Sequence, residues 1–295
     1  MGAVWHSAAR QVFGTIVRGV FGVDPGDLSF LHFLAYVASS KQGLEAMITF
    51  GSGLQKYTFK GGAAQLYVRW TQRAGQNATA RLSTARCVRR CVRVRRSEKL
   101  AEHIVQAGQR VLTSHPVASI AQDTNGVTVV CRNGKTFRCH RVIVAMPPTS
   151  ASKLHWSPQL PYHREQLHQR NFMGCIIKVL VLYARPFWRL NGFSGQVACD
   201  TSTGPVFNTV DDCYVAADGS TQPALVAFIN GDPARQWGTR PAQQRREAVL
   251  AQLARWFGQE ALSPVEYAEY DWGADPWTRG CPIGKWSVCY PLCNG

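Results

Sequence analysis

The amino-acid sequence predicts an α+β protein whose structural units interleave along the chain. Apolar residues recur at helical spacing near the start and again in residues 241–258, whereas residues 110–148 alternate with the period of strands. With 295 residues, 45% of them hydrophobic, the chain is long enough for a sizeable core and for two structural units. No run approaches 18 apolar residues, so we expect neither a membrane helix nor a secretory signal.

The first elements are helical. Val12, Ile16 and Val20 share one helical face in residues 1–22, and residues 29–40 (SFLHFLAYVASS) predict a second, largely buried helix. A glycine pair at 61–62 predicts a tight turn before a further helix that begins with AAQLYVRW.

The period then changes to two. Residues 110–148 predict short antiparallel strands joined by the turns DTNG and RNGK, and the last strand, in RVIVAM, is stopped by Pro147 and Pro148. The remaining expected elements are a polar helix (YHREQLHQR), a central strand (IIKVLVLY), sheet segments (GFSGQVACD, GPVFNTVDD, ALVAFING, VEYAEYDW) and a long amphipathic helix (PAQQRREAVLAQLARWFG).

The positive charge is unevenly distributed. The net charge is +15, and residues 71–100 alone contain nine Arg or Lys residues against one acid. This stretch lacks interleaved aromatic residues, so we interpret residues 71–104 as a solvated, exposed insertion rather than a nucleic-acid-binding arm.

The ten cysteines predict free thiols. Six are scattered singly, and two C-x3-C pairs lie far apart without a nearby histidine, which is weak support for zinc. We therefore expect no metal and a reducing compartment.

A lysine interrupts the central strand. Lys178 stands inside IIKVLVLY, whose aliphatic residues predict a strand buried on both faces. An ammonium group there would lose its hydration, so either its stem lets it reach solvent or a polar partner meets it.

Several motifs, in their order and spacing, resemble the flavin-containing monoamine oxidase family. They are FKGG at 59–62, the strand HPVASI, VIVAMPP, the segment MGCIIKVLVLYARPFWR and EYDWGADPWTRGC. The resemblance implies a substrate-binding domain with a mixed sheet (residues 1–59 and 168–274) interleaved with a partial, Rossmann-like FAD-binding domain (residues 60–167 and 275–295).

The resemblance also implies roles for single residues. Lys178 would project toward the flavin and hold a water against its reactive nitrogen, and Trp272 would pack beside the ring. Cys281, nine residues after Trp272, falls where animal members attach the flavin through a thioether; covalent and non-covalent binding both stay open. Further matches are a backbone contact to the adenine part of FAD at Val117 and four substrate-pocket residues: Gln55, Ile48, Phe207 and Asn208.

The implied activity is oxidation of an amine by FAD, with O2 reduced to H2O2. The family's G-x-G-x-x-G pyrophosphate motif is absent from the sequence, and residues 71–104 and 285–295 have no counterpart. We therefore expect a fragment that lacks flavin-binding segments at both ends. The alternatives are an inactive fragment or pseudoenzyme and, third, a basic nucleic-acid-binding protein. Expected partners are a small amine and O2, with homodimerisation left open and a cytoplasmic or mitochondrial location.

Overall fold

A computed structural model describes residues 6–40, 43–48, 105–106, 110–199, 201–215, 221–282 and 284–286. The helices are α1 (Ser7–Phe21), α2 (Phe30–Ser39), α3 (Gly43–Ile48), α4 (Pro148–Ala151), α5 (Tyr162–Arg170), α6 (Phe187–Leu190), α7 (Asp232–Gly238) and α8 (Ala242–Phe257). The strands are β1 (Val117–Asp123), β2 (Gly126–Cys131), β3 (Thr136–Cys139), β4 (His155–Ser157), β5 (Asn171–Met173), β6 (Ile176–Leu182), β7 (Val197–Ala198), β8 (Asn208–Asp211), β9 (Tyr214–Val215), β10 (Thr221–Gln222), β11 (Ala224–Asn230), β12 (Glu266–Asp271) and β13 (Gly284–Trp286).

The main core is built on a five-stranded sheet in the order β12-β6-β11-β8-β7, with every pair antiparallel. On one face of this sheet, alternate residues of β6 and β11 pack against α8, whose apolar residues recur every three or four positions. The helix and the central strand were both predicted, and the α+β fold class is confirmed. The fully buried residues at this face include Ile177, Val179, Val181, Leu225, Ala227, Ile229, Val249 and Leu253.

A second sheet, in the order β3-β2-β1-β4, contains the predicted antiparallel meander, and β4 joins it parallel to β1. The expected strand in RVIVAM is wrong, because β3 ends at Cys139 and residues 140–147 have no strand structure. None of the described strands pairs with this segment, so its backbone has no ladder to join, and Ile143 is 93% exposed.

A smaller core lies between α1 and α2. Val17, Phe21 and Phe33 are buried there, and the rings of Phe13 and Phe33 meet edge to face at 4.9 Å. The prediction that α2 is largely buried is wrong: it packs through one face, and its outer residues Phe30, Leu31 and Leu34 are half-exposed.

Gly22 caps the C-terminal end of α1, and its φ of 64° favours glycine. A Cβ at this position would also lie 2.8 Å from Ile176 in β6, so the end of α1 crosses close to the five-stranded sheet. α1 therefore covers part of the sheet face opposite α8.

Other sequence predictions meet the structure only partly. The six cysteines in the described segments are all free thiols, as expected. The basic insertion 71–104 lies outside the described residues. Among the helices that the structure describes, none is both long and apolar enough to span a bilayer.

Candidate active site

β6 is fully buried on one face and only partly buried on the other, which corrects the prediction that both of its faces are buried alike. Ile177, Val179 and Val181 point into the core, while Lys178 lies on the other face and is partly exposed. Because side chains alternate along a strand, the lysine escapes the apolar core without disturbing it.

Lys178 belongs to a row of side chains that crosses four strands, which we call the lysine row: Tyr270, Lys178, Phe228 and Asn208. Lys178 is the direct cross-strand partner of Tyr270 in β12 and of Phe228 in β11, and Phe228 is the partner of Asn208 in β8. All four residues are partly buried. The row therefore presents two aromatic rings, one ammonium and one amide on a single sheet face.

The ammonium of Lys178 has partners of two kinds. Its Nζ lies 5.7 Å from the ring centroid of Phe228, within range of a cation–π contact. Its charge also acts on the carboxyl of Asp212: desolvation raises the pKa of that carboxyl, and Lys178 pulls it down. Both alternatives drawn from the sequence thus hold in part, because the ammonium leaves the core and meets other groups.

Asn208 is the polar end of the lysine row. Its Oδ1 is buried and accepts no hydrogen bond from any described atom, so an N–H donor from a ligand would satisfy it. Its neighbour Phe207 is 2% exposed, and a Cβ at Gly19 in α1 would be in contact with its ring. Asn208 therefore faces the row, whereas Phe207 is packed beneath α1.

Trp272 continues the site beyond β12. Its backbone N–H donates to the carbonyl of Ile176 (3.1 Å), and its ring meets that of Tyr270 edge to face with centroids 4.7 Å apart. Trp272 thus forms an aromatic wall next to the lysine row.

The loop from Trp272 to Cys281 is organised by one buried carboxylate. Asp275, 7% exposed, accepts a hydrogen bond from the hydroxyl of Tyr270 and others from the backbone N–H groups of Trp277 (2.9 Å) and Thr278 (3.0 Å). Asp275 therefore couples the shape of the loop to the aromatic ring in the lysine row.

Cys281 closes this loop against the start of β6. Its backbone N–H donates to the carbonyl of Gly174 (2.9 Å), and its thiol is free and partly buried. The pKa of the thiol is raised, because the effect of burial exceeds the opposite effect of the charges of Lys285 and Lys178. Cys281 therefore interacts with the lysine predicted from the sequence and with a second lysine.

The second lysine, Lys285, was missed by the sequence analysis. It lies in β13, which pairs with β5, and is fully buried with an Nζ that has no hydrogen-bond partner among the described residues. Burial lowers its pKa to about 7, against the opposite effects of Cys281 and Cys175. No sequence signal marked it, because residues 285–295 match no motif of the resemblance.

The structure brings together part of the predicted site. Lys178, Asn208, Trp272 and Cys281 are linked through the lysine row and the loop that follows β12. Val117 begins β1 in the other sheet and is not part of this row. Ile48 is the last residue of α3, and only the backbone of Ile48 is described. Gln55 lies outside the described residues.

The arrangement suits a flat ligand with hydrogen-bond acceptors on its edge. Tyr270 and Trp272 offer aromatic surface, Lys178 offers charged N–H donors, and the thiol of Cys281 is a candidate covalent anchor. The unpartnered Oδ1 of Asn208 offers an acceptor at the other end of the row.

The chain is similar in sequence to known flavin-dependent proteins. A probable flavin-containing monoamine oxidase A of Dictyostelium discoideum is 33% identical over 278 residues, which is 94% of this chain and 52% of the relative. An L-amino acid dehydrogenase of Synechocystis is 37% identical over 188 residues, or 62% of this chain and 38% of that protein. The chain thus spans about half the length of the first relative and a smaller part of the second.

Solved structures show the same likeness. The cyclohexylamine oxidase of Brevibacterium oxydans superimposes with a TM-score of 0.75 at 26% identity, over 97% of this chain and 55% of that protein. Residues 13–285 match the family described as flavin containing amine oxidoreductase. The chain belongs to this flavin-containing amine oxidoreductase family.

Proposed function

We propose that this chain carries the amine-binding face and part of the flavin site of an FAD-dependent amine oxidase. The observation that carries the proposal is the placement of Lys178 on the partly buried face of an otherwise apolar strand, in one row with aromatic side chains, where its charge also acts on the thiol of Cys281. The products would be an imine or aldehyde and H2O2.

The residues present fit a flavin ring. When bound, FAD would accept a hydride from the amine and pass its electrons to O2. Lys178 would hold a water by hydrogen bonding and would stabilise negative charge that develops next to its ammonium. Tyr270 and Trp272 would position a planar ring through their aromatic contact.

Cys281 is proposed as the flavin anchor, by a thioether or by contact alone. Its thiol is free, and the hydrogen bond from its N–H to Gly174 places it beside the start of β6. Acid precipitation of flavin-loaded protein separates the two modes, because covalently bound flavin stays with the precipitate.

The proposed substrate is a small amine without a carboxylate. Asn208 Oδ1 is free to accept an amine N–H, and an apolar surround favours the neutral amine because burial penalises the ammonium form. The Synechocystis relative is named an L-amino acid dehydrogenase, and an amino acid carries a carboxylate. Recognition of a carboxylate needs a cation, and Lys178, the one cation of the lysine row, is assigned to the flavin.

We also propose that the domains are interleaved, with residues 1–59 and 168–274 in the substrate unit and residues 60–167 and 275–295 in the flavin unit. The two sheets support this division, because β1 to β4 fall in one proposed unit and β6 to β12 in the other. The pairing of β13 with β5 would join the units.

The test is an absorption spectrum of the chain joined to the flavin-binding ends of the Dictyostelium relative, recorded before and after acid precipitation and followed by an assay of amine-dependent H2O2. Flavin absorbance with amine-dependent H2O2 is the expected result. Flavin that binds without turning over any amine would favour the inactive alternative. Folded protein without flavin would overturn the proposal.

A further inference from the structure

Asp275 is a buried carboxylate whose two oxygens face different parts of the candidate site. Its Oδ1 accepts hydrogen bonds from the backbone N–H groups of Trp277 (2.9 Å) and Thr278 (3.0 Å), whereas its Oδ2 accepts one from the hydroxyl of Tyr270. Trp277 and Thr278 belong to residues 272–281, which we call the anchor loop. One side chain thus joins the anchor loop to the lysine row.

On the side of the lysine row, the bond to Asp275 holds an aromatic ring next to the ammonium. Tyr270 is the direct cross-strand partner of Lys178, and its ring contacts that of Trp272 edge to face. A carboxylate is a stronger hydrogen-bond acceptor than a neutral oxygen, so this bond fixes the outer end of the Tyr270 ring. The orientation of the ring therefore depends on where the loop places Asp275.

On the side of the loop, the backbone has a conformation that needs support. Arg279 has a φ of 54°, which is strained for a residue with a side chain, and its N–H donates to the carbonyl of Asp275 (3.0 Å). A Cβ at Gly280 would lie 2.6 Å from the carbonyl oxygen of Gly174, which also accepts the N–H of Cys281 (2.9 Å). The end of the loop is therefore seated against the turn before β6, and its start is held by Asp275.

We propose that Asp275 is a positioning residue for the flavin site. It joins the anchor loop to Tyr270, so that Cys281 and the rings of Tyr270 and Trp272 are held in one arrangement before the flavin binds. A preorganised site binds more tightly because less conformational freedom is lost on binding. The flavin as ligand rests on the proposed function, whereas the link between loop and row does not. The competing role is a turn cap, in which only Oδ1 matters.

The first experiment measures how fast trypsin cleaves the flavin-free chain after Arg279, an exposed residue of the anchor loop. Cleavage of a native loop follows the population of its open form. Tyr270→Phe removes the hydroxyl and keeps the ring, and it should speed cleavage at Arg279 about tenfold, the scale expected when one hydrogen bond to a charged group is lost. An unchanged rate would overturn the proposal, because a turn cap alone does not need Tyr270.

The matched control is Tyr267→Phe in the same strand. The hydroxyl of Tyr267 also donates to a carboxylate, that of Glu269 (3.0 Å), and the residue is likewise partly buried. This variant should leave cleavage at Arg279 unchanged. Cleavage after Arg132, an exposed residue just beyond β2, reports general unfolding in the same digests. An equal acceleration at both sites in Tyr270→Phe would contradict a link confined to the loop.

A double-mutant cycle tests whether Tyr270 acts through Asp275. Asp275→Asn keeps one oxygen for the N–H groups of the loop and replaces the other acceptor with an amide NH2. In this background Tyr270→Phe should change cleavage at Arg279 by about twofold or less, because the bond that it removes is already lost. The same tenfold effect in both backgrounds would show that Tyr270 acts through another group and would refute the proposal.

The last experiment titrates FAD into the chain joined to the flavin-binding ends of the Dictyostelium relative, with Cys281→Ser present to prevent a thioether. Tyr270→Phe should raise the dissociation constant of FAD about tenfold, and Tyr267→Phe should leave it unchanged. Equal affinity with and without the Tyr270 hydroxyl would overturn the positioning role. A chain whose loop depends on Tyr270 but which binds no FAD in any variant would support the link and contradict the proposed function.

Discussion

The two faces of the five-stranded sheet differ in how strictly they are packed. On the α8 face, Ile177, Val179 and Leu225 are fully buried in one continuous apolar cluster. On the other face, the lysine row is partly buried and contains an ammonium and an amide with an unpartnered oxygen. The α8 face thus carries the continuous apolar cluster, whereas the polar groups of the candidate site lie on the other face.

This difference explains how a lysine can stand in the middle of an apolar strand. Each strand residue contributes to one face only, so the core requires every second residue and leaves its neighbours free. Variants on the two faces should therefore affect different properties, and four predictions test this division.

The largest effect is expected on the α8 face. Leu225→Ala removes a fully buried side chain and should lower the free energy of unfolding by about 2–5 kcal/mol, because it leaves a cavity. Leu180→Ala, on the partly exposed face of β6, is the matched control and should cost less. Urea unfolding of both variants measures this, and equal losses would show that the faces are not packed differently.

The next effect concerns activity on the lysine row. Lys178→Met keeps the apolar stem and removes the donors, so folding should persist while reoxidation of the reduced flavin by O2 slows by about 10²-fold. Stopped-flow mixing with oxygen measures this rate in the chain joined to the flavin-binding ends of the Dictyostelium relative. An unchanged rate of flavin reoxidation, at normal flavin content, would show that Lys178 has no part in the reaction with O2.

Lys285 is fully buried, whereas Lys178 is only partly buried, so the two lysines should differ in how they affect stability. The pKa of Lys285 is about 7 in the folded chain and is restored toward 10.5 on unfolding. Between these values the folded state binds fewer protons, so stability should rise with pH, by up to about 1.4 kcal/mol per pH unit. Lys285→Met should flatten this rise and be more stable than the wild type below pH 7. Urea unfolding midpoints of both proteins between pH 6 and 10 test this prediction. Parallel pH curves for the two proteins would show that the pKa of Lys285 is not lowered by burial.

The smallest effect is expected at the surface. Arg185, just after β6, donates two hydrogen bonds to Glu260 at 3.0 and 2.7 Å, but the two side chains are 64% and 44% exposed. Glu260→Gln should lower the free energy of unfolding by less than about 1 kcal/mol, and by still less in high salt. A loss as large as that of Leu225→Ala would show that the rim, and not the apolar face, holds α8 in place.

Much of the local structure was predictable because its cause is local. The helical period of α8 and the residue composition of β8, β11 and β12 are properties of neighbouring residues, and all four elements form as expected. Residues 140–147 fail for the opposite reason: their apolar character suits a strand, but strand structure also requires a partner. The sequence of α2 is likewise apolar, but it does not indicate which face of the helix is buried.

The candidate site divides in the same way. Lys178 and Cys281 were found because they stand in motifs that resemble those of a known family, whereas Lys285 stands in a tail without such motifs. Its approach to Cys281 depends on the missing side chain of Gly174 and on the pairing of β13 with β5. These residues are distant in sequence, so their spacing carries no sign of the contact.

The sequence by itself determined the α+β class, the long amphipathic helix, the central strand and the family resemblance, because period and motif are written in consecutive residues. Only the tertiary structure decided that Lys178 lies on the less buried face of β6, that the lysine row spans four strands and that the charges of Lys178 and Lys285 act on Cys281. The reason is physical: burial, pKa and hydrogen-bond partners depend on atoms that the fold brings together from distant parts of the chain.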